Sequence, residues 1–270
     1  MISVDLCTSV LAEFNPLAPV TEETLFHFPA GRWSFTVSNH MFVIALAFLL
    51  LLIVIPVIVR FRKIVPTGPY NLIEAICVFL REDLARPILG EFTDKFISFV
   101  WTMFFFVLTL NLLGMVPLEK IISLITGKSS YFGGAATANI WITGALAVVT
   151  FFTTIVAGIK TKGFIPYLVG LAPPVPWWIL PFIYILELIT LLIRPLTLAI
   201  RLFANIMAGH MLIGTFIGLV LIFKNYYVAA ASISTAAVLS LMDLLVAFIQ
   251  AYIFTFLSTL YIGFSVKTEH

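Results

Sequence analysis

The chain has 270 residues, of which 61% are hydrophobic and 10% charged, against about 45–50% and about 25% in soluble domains. So few charges cannot cover a water-facing surface, which excludes a soluble globular domain and a disordered chain and makes the bilayer the solvent. A net charge of +2 gives no basis for nucleic-acid binding. Two cysteines, Cys7 and Cys77, offer neither a disulfide framework nor metal-ligand spacing.

The first 39 residues form a segment outside the membrane. They are acidic (Asp5, Glu13, Glu22, Glu23) and lack a basic n-region followed by a short apolar core, so no signal peptide is expected. Beyond them the apolar runs are long and continuous. Spanning barrels alternate instead, so these runs predict helices. The first span occupies 41–63: Met41 to Val59 is uncharged and ends in Arg60, Arg62 and Lys63. Residues 69–90 differ. Leu72, Ile73, Ile76, Phe79, Leu80 and Leu84 recur at helical spacing while Glu74, Glu82, Asp83 and Arg86 take other faces. That pattern predicts an amphipathic helix lying in the interface, with Pro69 in its first turn and Pro87 and Gly90 at its end.

A second and a third span, with an outside loop between them, fall within 96–159. Phe96 to Leu118 is uncharged, and the run from about Tyr131 to Ile159 is closed by Lys160 and Lys162. The stretch 164–181 carries Pro166, Pro173, Pro174, Pro176 and Pro181 and reads as a connector. Two very long segments follow within 177–266. At 1.5 Å per residue they extend about 70 Å and about 57 Å, too long to stand upright across a ~30 Å core. Each must tilt steeply or break, with Arg194–Pro195 as one break point. The expected fold is a single membrane domain: an all-α integral membrane protein of about five crossing helices plus one interfacial helix, the last two paired as a tilted antiparallel hairpin. With the N-terminus outside and the C-terminus inside, nine Lys/Arg fall on the inside and four outside, as the positive-inside bias requires.

The long segments hold Glu187, Arg194, Arg201, His210 and Asp243 in otherwise apolar sequence. Ionisable groups at mid-membrane cost a few kcal/mol each on insertion scales, which makes them functional candidates. Glu187, Arg194 and Arg201 are seven apart and share a helical stripe; Asn205 lies on the same side one turn on. His210 is about half a rotation from Arg201. In an antiparallel hairpin, residues that meet have a nearly constant index sum. Arg201 with Gln250 gives 451 and His210 with Asp243 gives 453, so one register serves both pairs. The polar groups fall into an outer set (His210, Asp243), a middle set (Arg201, Asn205, Gln250) and an inner one (Glu187). Such a layout suits proton movement in two stages around a fixed positive charge. Structural alternatives stand beside this reading. Arg194 can snorkel to the inner headgroups or pair with Glu187, and His210 and Asp243 can form a static pair that sets helix register.

The run Glu187-Leu-Ile-Thr-Leu-Leu-Ile-Arg-Pro-Leu-Thr-Leu-Ala-Ile-Arg201-Leu-Phe-Ala-Asn205-Ile-Met-Ala-Gly-His210 closely resembles the signature of subunit a of the F-type ATP synthase. Gln250-Ala-Tyr-Ile-Phe-Thr-Phe-Leu-Ser-Thr-Leu-Tyr261 resembles the last helix of that family. Asn111-Leu-Leu-Gly-Met-Val-Pro117 and Asn71-Leu-Ile-Glu74 extend the likeness, which runs from about Phe35 onward. The resemblance implies a proton-translocating stator subunit that presents two offset half-channels to a rotating ring of subunit c. Arg201 would act as proton barrier and as latch for the ring carboxylates. His210, Asp243, Asn205 and Gln250 would line the outer half-channel, and Glu187 the inner one. The position of Arg194 varies in the family, and its role stays open.

The implied partners are the c-ring, the peripheral stalk subunit b, the other synthase subunits and membrane lipid. No cofactor, metal or catalytic residue is implied, since the chain would make no chemical bond. A bacterial inner membrane is the expected location, with the mitochondrial inner membrane as the alternative. A stand-alone transporter or channel predicts internal repeats or paired broken helices, and none is visible. A sodium-driven version of the same subunit remains an alternative. An intramembrane hydrolase ranks last for want of a plausible nucleophile–base or paired-Asp arrangement.

Overall fold

The computed structural model describes residues 24–30, 33–60, 68–116, 118, 122, 135–169, 178–223 and 225–267. The basic residues Arg32, Arg62, Lys63, Lys120, Lys128 and Lys224, the prolines Pro173, Pro174 and Pro176, and Trp177 lie outside them.

The first described elements were not expected. Strands β1 (Thr24–Ala30) and β2 (Trp33–Ser38) pair antiparallel, from Thr24 opposite Ser38 to Ala30 opposite Trp33, with an irregularity between Thr24 and Phe26. Helix α1 (Asn39–Arg60) starts directly from β2. Its first turn is capped by the Ser38 hydroxyl oxygen, which accepts from the Met41 amide at 3.5 Å.

The expected interfacial segment is helical throughout but not uniform. It comprises α2 (Pro69–Phe79), a π-helical stretch (Leu80–Ala85), the short α3 (Arg86–Leu89) and a 3-10 turn (Gly90–Phe92). Pro69 takes the first position, where its missing N–H costs nothing. Leu80, Leu84, Ala85 and Leu89 are buried, whereas Leu72, Val78 and Phe79 are exposed. Arg81 pairs with Asp94, and Arg86 with Glu82 one turn away. At Gly90 the backbone turns with φ 60°, a conformation that suits glycine, and α4 (Thr93–Met115) begins. A second positive φ, 89° at Gly163, separates α5 (Ile140–Lys162) from the short α6 (Phe164–Val169). The last two helices are α7 (Leu180–Phe223) and α8 (Tyr226–Val266).

Apart from the hairpin, every regular element among the described residues is helical. Five stretches are long and apolar enough to cross a membrane: α1, Tyr70–Met115, α5, Leu196–Val220 within α7, and α8. The chain is therefore an all-α integral membrane protein preceded by a two-stranded hairpin. Helix α7 runs through Arg194–Pro195 as one helix, so of the two options, tilting or breaking, the break is not taken.

Two compact units divide the fold. Among the described residues, one falls within 24–50, 108–139 and 202–250, and the other within 51–107, 140–201 and 251–267. The first has a core of Val43, Ala47, Leu110, Leu202, Ile206 and Ala247. It also buries polar groups: His40 is fully inside, with its Nδ1 3.3 Å from the Asn139 amide nitrogen. The second unit packs Leu84, Val100, Phe104, Leu198, Phe254 and Ile262. There α5 and α8 meet through small and hydroxyl residues, which let membrane helices approach closely. Thr150 and Ser258 hydroxyls lie 3.5 Å apart, and the Ser265 hydroxyl donates to the Thr154 carbonyl at 2.8 Å. Both sequence numbers rise together, so α5 and α8 run parallel.

Candidate functional site

The candidate residues stand on the two longest helices because only an unbroken helix satisfies backbone groups across an apolar medium. On α7, Glu187 is half-buried, Arg201 is exposed and Asn205 is half-buried. Arg194 and His210 are placed as positions of α7, but their side chains lie outside the described ones. On α8, Asp243 is half-buried and Gln250 is buried.

Within the first unit the hairpin register is explicit. Asp243 packs against the backbone of Gly209: a methyl group at Gly209 would lie 2.6 Å from the nearer carboxylate oxygen and 2.7 Å from the other. The absent side chain at Gly209 is what lets the carboxylate reach the surface of α7. The index sum of this contact is 452, between the two sums expected from sequence. It places Asp243 beside the neighbour of His210.

Two amides in the same unit are deeply placed. Asn111 of α4 is fully buried and its Nδ2 donates to the Ala247 carbonyl of α8 at 3.3 Å. Its Oδ1 and the Nε2 of Gln250 are buried with no partner among the described residues. A buried polar atom left unpaired costs about 1–3 kcal/mol, so each calls for a partner that the described residues do not supply. Asn111 was legible only as part of a family motif. The signal that could have singled it out is an amide within an otherwise uncharged span. No cluster of three His, Cys, Asp or Glu side chains that could hold a metal ion occurs among the described residues.

The exposed face of α7 carries its own pattern. Ile193, Leu196, Ile200, Arg201, Ala204, Ala208, Met211 and Leu212 are all exposed and recur at three- and four-residue intervals. An apolar stripe with small residues and one guanidinium is open to a neighbouring helix.

Comparison with known families decides what the chain is. The family model for the ATP synthase A chain matches residues 41–263. The chain belongs to the ATP synthase subunit a family. It is 36% identical over 256 residues to the ATP synthase subunit a of Chloroherpeton thalassium, covering 91% of this chain and 72% of that one. The subunit a of Anaeromyxobacter sp. is 38% identical over 244 residues, 89% of this chain and 56% of the relative. A protein named ATP synthase subunit a 2, from Prosthecochloris aestuarii, is 35% identical over 257 residues, 93% of this chain and 75% of its own length. The chain thus spans between about half and three quarters of these relatives. As a family member it is a component of the membrane part of an ATP synthase.

Proposed function

We propose that this chain is the proton-translocating stator subunit of an F-type ATP synthase, offering two offset half-channels to the carboxylates of a rotating c-ring. The observation that carries this reading is Arg201: a guanidinium exposed within the membrane-spanning stretch Leu196–Val220. A permanently charged group facing lipid is costly. Covered by a partner helix that brings a carboxylate, it becomes favourable. At ~4 Å and an effective dielectric near 20 the attraction is about 4 kcal/mol, enough to favour the ionised carboxylate as it passes. The same charge repels a proton attempting to cross directly between the half-channels. Arg201 is thus both barrier and latch.

The outer half-channel is assigned to His210, Asp243, Asn205 and Gln250. Support comes from Asp243 lying on the α7 backbone at Gly209 and from the unpaired buried amide of Gln250. Glu187, the innermost candidate of the expected layout, is assigned to the inner half-channel, and Arg194 is given no role. A potential of 100 mV supplies about 2.3 kcal/mol per proton. That energy turns the ring, and ATP is made on another subunit, so this chain carries no catalytic residue. The c-ring, the peripheral stalk subunit b and the other synthase subunits are the partners. With five crossings the N-terminus is outside and the C-terminus inside. The bacterial sources of the relatives favour a bacterial inner membrane.

The test is Arg201→Ala in the assembled complex, read as proton-driven ATP synthesis. Losing about 4 kcal/mol of latch corresponds to a fall on the order of a thousandfold. Arg201→Lys should also be severely impaired, because the planar fork and its fixed charge are lost. Synthesis near the wild-type rate in Arg201→Ala would sink the assignment.

A further inference from the structure

One surface feature lies apart from every residue assigned to the proton path. An open cavity of about 360 Å³ lies between α4 and α5, lined by Lys95, Phe96, Phe152, Thr153, Val156 and Lys160 among others. Lys95 stands in the first turn of α4 and Lys160 in the last turn of α5, so both ammonium groups mark the end of a membrane span. The Lys95 ammonium lies 5.7 Å from the Phe96 ring centre. Both lysines are exposed. The carboxylate next in sequence, Asp94, is paired with Arg81, and among the described residues no acidic side chain lines the cavity. Below the two cations the wall is apolar and open: Phe152 is 59% exposed and Val156 47%.

We propose that this cavity is a binding site for one anionic phospholipid. Its phosphate would sit between Lys95 and Lys160, and an acyl chain would lie along Phe152 and Val156. Two cations lining one cavity favour an anion there, and basic pockets at the ends of membrane helices bind anionic headgroups in this way. An apolar wall continuous with the lipid-facing side of α5 suits an acyl chain and gives nothing to a small hydrophilic anion. A zwitterionic headgroup brings its own cation and gains far less. The site is independent of the proton path.

The experiment uses the full chain in nanodiscs with a photoactivatable phosphatidylglycerol whose crosslinker sits in the acyl chain, and maps adducts by peptide mass spectrometry. Adducts are expected on residues 149–156. Unlabelled phosphatidylglycerol should compete, and phosphatidylcholine or inorganic phosphate should not. Each lysine near an anionic surface contributes roughly a fivefold affinity change, so Lys95→Gln with Lys160→Gln should weaken competition about 30-fold. The double Arg variant should retain it. With both lysines intact, Val156→Trp should fill the groove and lower labelling. Equal competition by phosphatidylcholine, unchanged labelling in the double Gln or the Trp variant, or displacement by inorganic phosphate would each overturn the proposal.

Discussion

Gly158 and Gly144 stand on the same helix, α5, and differ in what a methyl group would meet. At Gly158 it would collide with the Ser265 hydroxyl and the Tyr167 ring; at Gly144 nothing lies within 4 Å. Ser265 is anchored to the Thr154 carbonyl, so it cannot simply swing away. Gly158→Ala is therefore expected to destabilise the chain by about 1–3 kcal/mol through overpacking, whereas Gly144→Ala should be neutral or slightly stabilising. Thermal unfolding of the purified chain in one detergent compares the two directly. Equal midpoints would show that the close approach of α5 and α8 at Gly158 is not under steric constraint. Polar residues follow a different logic. The sequence marked Asp243 as costly and paired Gln250 with Arg201 by register, but burial and the neighbour that receives each side chain are properties of packing, and no spacing rule contains them.

At the scale of elements, the α7–α8 hairpin is the part most fully legible in the sequence. Continuous apolar runs fixed its type, and the seven-residue spacing of Asp243 and Gln250 put both on one face. The contact of Asp243 with Gly209, at an index sum of 452, places the register between the two expected sums. The same sum brings Ile213 opposite Leu239, both half-buried, while Leu241 is 69% exposed. A disulfide between cysteines at 213 and 239 should form readily in a chain lacking its native cysteines. The 213/241 pair should give little or none. The reverse pattern would place the register about half a turn away. The interfacial helix was legible in period but not in winding. Its π-helical stretch over Leu80–Ala85 inserts local unwinding where Leu80, Leu84 and Ala85 are all buried. That choice depends on what those side chains pack against, which is tertiary information.

For the whole molecule, the parallel course of α5 and α8 is the constraint that matters. The third and fifth of five crossings must run the same way, and they do. Their ends also meet: the Lys162 ammonium donates to the Lys267 carbonyl at 2.7 Å. A membrane-impermeant thiol reagent should accordingly modify cysteines at 162 and 267 from one side of an oriented membrane. A cysteine at Tyr226, which is 91% exposed at the start of α8, should react from the other. If 162 and 226 reacted from the same side, the five-crossing topology would be wrong.

The amino-acid sequence by itself determined the solvent, the helical class and the small set of ionisable groups in the two long apolar segments. All of these follow from composition and from periods of 3.6 residues, which are local properties. The strand pair Thr24–Ala30 and Trp33–Ser38 was not expected, although its signal is local: Trp33, Phe35 and Val37 alternate with Ser34, Thr36 and Ser38 just after a two-residue loop. Only the tertiary structure decided that Asp243 rests on the Gly209 backbone, that Asn111 bridges to Ala247, and that Lys95 and Lys160 border one cavity. Each of these joins residues far apart in the chain. Such meetings depend on how closely two helices approach, and that distance is set by packing rather than by spacing.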